Sequence, residues 1–233
     1  VRRKFRKSKY ESVTHFYSFS ESKNKMTTQK LIRWSGLALL VAGMLWILSI
    51  FHPPATLDGM LAPAWGPSHY VTAVASVFLV FGLIGLYAYQ VAKVGWLGLI
   101  AFILTLTASA MLTSAELFGG ALAPTLAANP ATQSLVNPQQ AGPFVIVWGV
   151  ITLLATVGNI LLGIAIIRAG VLPRWAGRLM IIGYVLLAFG IGLPALAILA
   201  EVGLVLSGLG YAWCDYRIWA ATGAVAPQAK PAM

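Results

Sequence analysis

Apolar residues in this chain gather into long, nearly uninterrupted stretches separated by short polar or Gly/Pro-rich connections. A helix rises 1.5 Å per residue, so about 20 apolar residues are needed to cross a hydrocarbon core about 30 Å thick. Six stretches approach that requirement: 34–51, 69–90, 95–117, 143–167, 174–190 and 194–213. The fifth is short and turns tightly into the sixth through Phe189-Gly-Ile-Gly-Leu-Pro194, which favours two short helices over a single over-long one. The pattern predicts an all-α membrane protein, a compact bundle of six transmembrane helices. It divides into a basic, disordered arm (1–30), the six-helix domain (31–217) and a short tail (218–233).

Polar positions inside these stretches fall into stripes. Thr105, Ser109, Thr113 and Glu116 share one helical face, as do Thr152, Thr156 and Asn159, and His69, Thr72 and Ser76. Such stripes turn inward in lipid, although Ser and Thr also bond their own helix four residues back, which needs no function. Three stretches open alike, with Trp34-Ser-Gly36, Trp96-Leu-Gly98 and Trp175-Ala-Gly177. Repeated helical hairpins of parallel topology would produce this. So would convergent interface chemistry, in which Trp anchors at the headgroups and Gly lets helices approach.

Composition excludes a soluble domain. The chain is 59% hydrophobic and 9% charged, against about 25% charged in soluble proteins. The net charge of +10 does not indicate a nucleic-acid partner, because ten of the sixteen Lys and Arg residues precede the first apolar stretch. A basic arm beside a membrane helix reads as a topology signal in contact with anionic headgroups. Lys93, Arg168, Arg174, Arg178, Arg217 and Lys230 supply the rest, and the alternate connections 52–68, 118–142 and 190–193 carry none. The positive-inside rule then places both termini in the cytoplasm. The first stretch lies too far in, and lacks the small-residue site, to be a cleaved signal peptide. Residues 1–25 are basic and Ser-rich, and the first Met is Met26, so they are expected to be a dispensable arm or translation begun upstream of the natural start. One cysteine, Cys214, excludes an intrachain disulfide.

Acidic and histidine residues are few, and five of the nine cluster by sequence near one face. His52 ends the first stretch, His69 and Glu116 lie at the matching ends of the second and third, and Asp58 is in the connection between. Glu201 sits seven residues into the sixth. A charged carboxylate at that depth costs up to about 3 kcal/mol unless it is protonated or paired. The expectation is therefore an outer-half polar pocket formed by His52, His69, Thr72, Glu116 and Glu201. His52, His69 and Glu116 are also the candidate metal ligands, being of the types zinc accepts, but none share a helix at ligand spacing. No phosphate loop, nucleophile elbow or Cys pair occurs, and the sequence assigns no cofactor.

Trp34-Ser-Gly-Leu, His52-Pro-Pro54, Pro67-Ser-His69, Gly85-Leu-Tyr-Ala88 and Arg168-Ala-Gly-Val-Leu-Pro-Arg-Trp-Ala-Gly177 stand together over residues 30–215. In these the chain resembles a group of prokaryotic six-helix multi-pass membrane proteins without an assigned activity. The resemblance implies a prokaryotic plasma membrane and transfers no mechanism. Three functions stay open. The first is a non-catalytic membrane protein that binds a lipid or hydrophobic small molecule, or assembles copies of itself or other membrane proteins. The second is a metal-assisted hydrolase at the outer face using His52, His69 and Glu116, and the third a proton-coupled carrier using Glu201.

Overall fold

The computed structural model describes residues 27–140 and 142–223. The arm expected over 1–25, with its Met26 boundary, and the end of the tail lie outside the described residues. Every described element is helical. The elements are α1 (Thr28–Leu48), α2 (Leu57–Met60), α3 (Trp65–Ala121), α4 (Ala123–Ala128), α5 (Pro143–Ala169), α6 (Arg174–Gly192) and α7 (Ile198–Gly223), with 3-10 turns at Ser49–Phe51, Gln133–Leu135 and Pro194–Leu196. Five helices among the described residues are long and apolar enough to cross a membrane.

The boundaries differ from the hydrophobic stretches in two instructive ways. Helix α1 starts at Thr28, inside the segment assigned to the arm, because the Thr27 hydroxyl caps it by accepting from the Lys30 amide at 3.2 Å. Helix α7 runs to Gly223, beyond the expected start of the tail. A helix end is set by its backbone hydrogen bonds and caps, so it need not coincide with the edge of an apolar run.

The second and third stretches form the single 57-residue element α3, broken at Gly95, where φ is 54° and ψ is −155°. A straight helix of that length would span about 85 Å. Instead, the Trp65 indole donates to the Gly119 carbonyl at 2.9 Å, so the two ends of α3 meet. Gly95 is therefore the apex of an antiparallel hairpin, and its left-handed φ is one that L side chains rarely adopt. On one limb Gly82 and Gly85 lie against Leu39 and Ser35 of α1; on the other, Gly158 of α5 lies against Thr105.

The long helices close into a ring: α1 packs on α3, α3 on α5, α5 on α6, α6 on α7, and α7 back on α1. Several contacts are backbone-close. A Cβ on Gly163 would lie 2.6 Å from the Gly177 carbonyl, and one on Gly43 2.6 Å from that of Gly208. Small residues permit this approach, the usual means by which helices associate where lipid offers no hydrophobic driving force. Leu39, Leu79, Leu83, Leu86, Leu162, Ile166 and Met180 fill the centre. The outward faces are also apolar, with Phe81, Ile103, Leu153 and Ile182 exposed. Helices apolar all round suit a bundle surrounded by lipid. Trp34, Trp96 and Trp175 project outward at 59%, 80% and 59% exposure, while the glycine two residues beyond each is buried.

The inward stripes are satisfied in part by their own helices. Ser76, Ser109 and Thr113 donate to the carbonyls four residues back, as does the Asn159 amide. The buried Thr105 and Thr156 hydroxyls have no hydrogen-bond partner among the described residues.

Candidate functional site

One end of the bundle carries the α1–α3 connection and the two tips of the α3 hairpin. There the chain leaves α1 through the 3-10 turn Ser49–Phe51. His52 follows in extended conformation, and Pro53 and Pro54 prevent the helix from continuing. The turn directs His52 back over the end of the hairpin. The Ser49 and Thr72 hydroxyls, 3.3 Å apart, tie the turn to α3.

His69, on the first limb of α3, and Glu116, on the second, are 3% and 5% exposed. His69 Nδ1 and Glu116 Oε2 are 2.5 Å apart. His69 Nε2 faces His52 Nε2 at 3.1 Å, and His52 Nδ1 donates to the Pro53 carbonyl at 2.5 Å. The four groups form one line from a backbone carbonyl through two imidazoles to a carboxylate. His52 is half-buried and stands between this line and the surroundings.

The proton positions follow from the acceptors. A carbonyl only accepts, so the proton of a neutral His52 sits on Nδ1 and its Nε2 presents a lone pair. Burial, and then the neighbouring His69, push His52 down to about 4, against the upward pull of its bond to Pro53. His52 is therefore neutral near pH 7. The proton between the two Nε2 atoms then belongs to His69. Between His69 Nδ1 and Glu116 lies a second shared proton, which makes the pair either imidazolium–carboxylate or imidazole–carboxylic acid. Without the middle proton, two lone pairs would face each other across 3.1 Å.

Aromatic rings hold this line in place. Trp65 lies 4.8 Å from the His52 ring and 4.5 Å from the His69 ring, and the Trp148 ring is 6.4 Å from that of His69. A Cβ on Gly119 would sit 2.9 Å from His69 Cε1, so glycine at 119 provides the space for the imidazole. Sequence reading overlooked Trp65, Gly119 and Ser49. Spacing offered a cue for two of them: Trp65 is one helical turn before His69, and Gly119 three residues after Glu116.

Of the five residues expected in one pocket, His52, His69 and Glu116 are joined directly, while the Thr72 hydroxyl bonds to Ser49 and the Ser68 carbonyl. Glu201 has no hydrogen bond or ion pair to them. It lines an open apolar cleft of about 240 Å³ with Ile50, Val202, Val205 and Leu206, and its Oε2 has no hydrogen-bond partner. Its place in the first turn of α7 is one where the helix dipole favours an acid. Among the described residues no group of three or more His, Cys, Asp or Glu side chains is placed to hold a metal ion. Glu116 stands behind His69, on its Nδ1, rather than beside the two Nε2 atoms, so the expected three-residue ligand set is not assembled.

Elsewhere in the bundle, the Tyr211 hydroxyl donates to Asn159 Oδ1 and Tyr184 bonds to Tyr211, linking α5, α6 and α7 through fully shielded groups. Neither tyrosine was distinguished by the sequence, where a Tyr in an apolar stretch reads as packing. Compared with family models, curated proteins and solved structures, the chain matches none.

Proposed function

We propose that this chain is a six-crossing plasma-membrane protein, both termini cytoplasmic, whose working part is a non-catalytic binding centre at the outer face built on His52, His69 and Glu116. Both limbs of α3 then cross, giving six crossings with α1, α5, α6 and α7. Every Lys and Arg residue lies in the arm, the start of α1, the α3 apex, the α5–α6 turn and its flanks, or the end of α7 and the tail. None lies in 52–68, 118–142 or 190–193, which supports the outer location of the histidine end.

One observation carries the binding reading: a shielded His69–Glu116 pair is joined through His69 to half-buried His52. Packing alone gives little reason to keep such groups, since apolar residues of similar volume replace buried ionic pairs at no cost in stability, or with a gain. Catalysis by nucleophilic attack has less support. The nearby hydroxyls of Ser49, Ser68 and Thr72 bond to one another or to backbone carbonyls, not to an imidazole that would activate them. A carrier working through Glu201 lacks a link between that carboxylate and the histidines.

Accessibility tests the reading. With His52→Cys, a membrane-impermeant maleimide added to intact cells should label the new thiol, while shielded Cys214 stays unlabelled. Labelling that appears only after the cells are opened would place the centre on the wrong side and overturn the reading.

A further inference from the structure

We infer that the facing Nε2 atoms of His52 and His69 are the two protein ligands of a first-row divalent transition metal of the zinc class, with Glu116 and the Pro53 carbonyl orienting them from behind. This rests on the outer-face binding centre proposed above and names its ligand.

Geometry comes first. Two nitrogens bound to a tetrahedral zinc at about 2.0–2.1 Å lie roughly 3.3 Å from each other. The two Nε2 atoms are already 3.1 Å apart, close to the spacing that two nitrogens on one such ion need.

The back of each ring is the second point. Metal-binding histidines characteristically donate their other N–H to a backbone carbonyl or a carboxylate, which fixes the ring and raises its basicity. His52 has the first arrangement, through Pro53, and His69 the second, through Glu116. One such anchor is ordinary. Two, on rings whose remaining nitrogens converge, make a site.

Proton bookkeeping is the third. With each Nδ1–H directed at its acceptor, both Nε2 atoms present lone pairs to the same space. Something positive has to lie between them. A proton can do so, turning the contact into an ordinary hydrogen bond, and a divalent metal can do so with both rings as ligands. Imidazole pairs suit zinc, cobalt, nickel or copper better than calcium or magnesium, which prefer oxygen. Trp65 and Gly119 hold the rings in register, which lowers the ordering cost of binding. Since no third protein ligand stands beside them among the described residues, the other coordination positions fall to water or to a molecule arriving past His52.

The test uses the full chain in detergent micelles, carrying a tag without histidine and His15→Ala, since His15 is the sequence's one other histidine. Cobalt(II) chloride is titrated in and the visible d–d absorption followed, then zinc chloride is added in competition. The expected result is saturation at one cobalt per chain and displacement by zinc. Affinity should fall about tenfold or more in His52→Gln and in His69→Gln, and about 10–100-fold in Glu116→Gln. Glu201→Gln should bind as the parent does. Absence of a cobalt band, or unchanged binding in the histidine variants, would overturn the metal assignment. Size-exclusion elution checks folding; should His69→Gln not fold, His52→Gln, at a half-exposed position, decides. Labelling at residue 52 from outside together with absent cobalt binding would retain an outer binding centre and discard the metal.

Discussion

At residue 69 an imidazole enters a shielded space whose other polar occupant is a carboxylate from the far limb of the same hairpin. Removing either partner strands the other, which costs about 3–5 kcal/mol for a buried pair. His69→Ala or Glu116→Ala should therefore each lower unfolding stability in detergent by about that amount, and His69→Leu with Glu116→Leu by clearly less than the sum. Additive losses would mean that the two groups do not act as a pair. His52 behaves differently because it sits at the edge. In the metal-free protein it is held at about 4, against 6.5 for an unperturbed histidine. The unfolded chain then binds more protons between those values, so stability rises with pH across that window. The contribution of His52 is present above about 6.5 and lost as pH falls through about 4. Thermal unfolding from pH 7 to pH 4 should be steeper for the parent than for His52→Gln; equal slopes would contradict the shift.

Elements were more legible than contacts. Apolar length places α1, α5, α6 and both limbs of α3 to within several residues, but misses the end of α7, which runs past 213 to Gly223. A lipid-facing helix must be apolar, while its end can extend beyond the hydrocarbon. Gly95 follows Lys93 at the expected connection, yet its left-handed backbone was not readable, since a glycine spaces, bends or packs with the same letter. His52 and His69 were expected in one pocket, but their direct Nε2–Nε2 contact was hidden. It depends on how a three-residue 3-10 turn and two prolines aim one side chain, not on periodicity. The element-scale predictions concern close approach. Gly43→Val puts a branched side chain where even a Cβ would be 2.6 Å from the Gly208 carbonyl, forcing α1 and α7 apart. It should cost about 1–3 kcal/mol, as overpacking generally does. Gly149→Val, where a Cβ meets open space, should be near neutral. Thermal melting of the two variants in detergent compares them, and equal losses would argue against a tight α1–α7 contact. Gly119→Ala should disturb the histidine centre specifically, since its Cβ meets the His69 ring.

On the scale of the whole molecule, a closed ring of helices presents apolar side chains outward and a histidine-bearing polar end opposite the basic connections. The charge asymmetry was readable in full, because topology signals are written in residue type and chain order alone. The outer face of the centre and the six crossings depend on both limbs of the α3 hairpin crossing the membrane. Two crossings there, with one each by α1, α5, α6 and α7, return the two ends of the chain to the same side. Fusions of a reporter active only outside the cytoplasm, placed after residues 93, 130, 171 and 230, decide this in one set. The account predicts activity at 130 alone. Activity at 230 would mean an odd number of crossings, and with it the loss of both the six-helix topology and the outward-facing histidine centre.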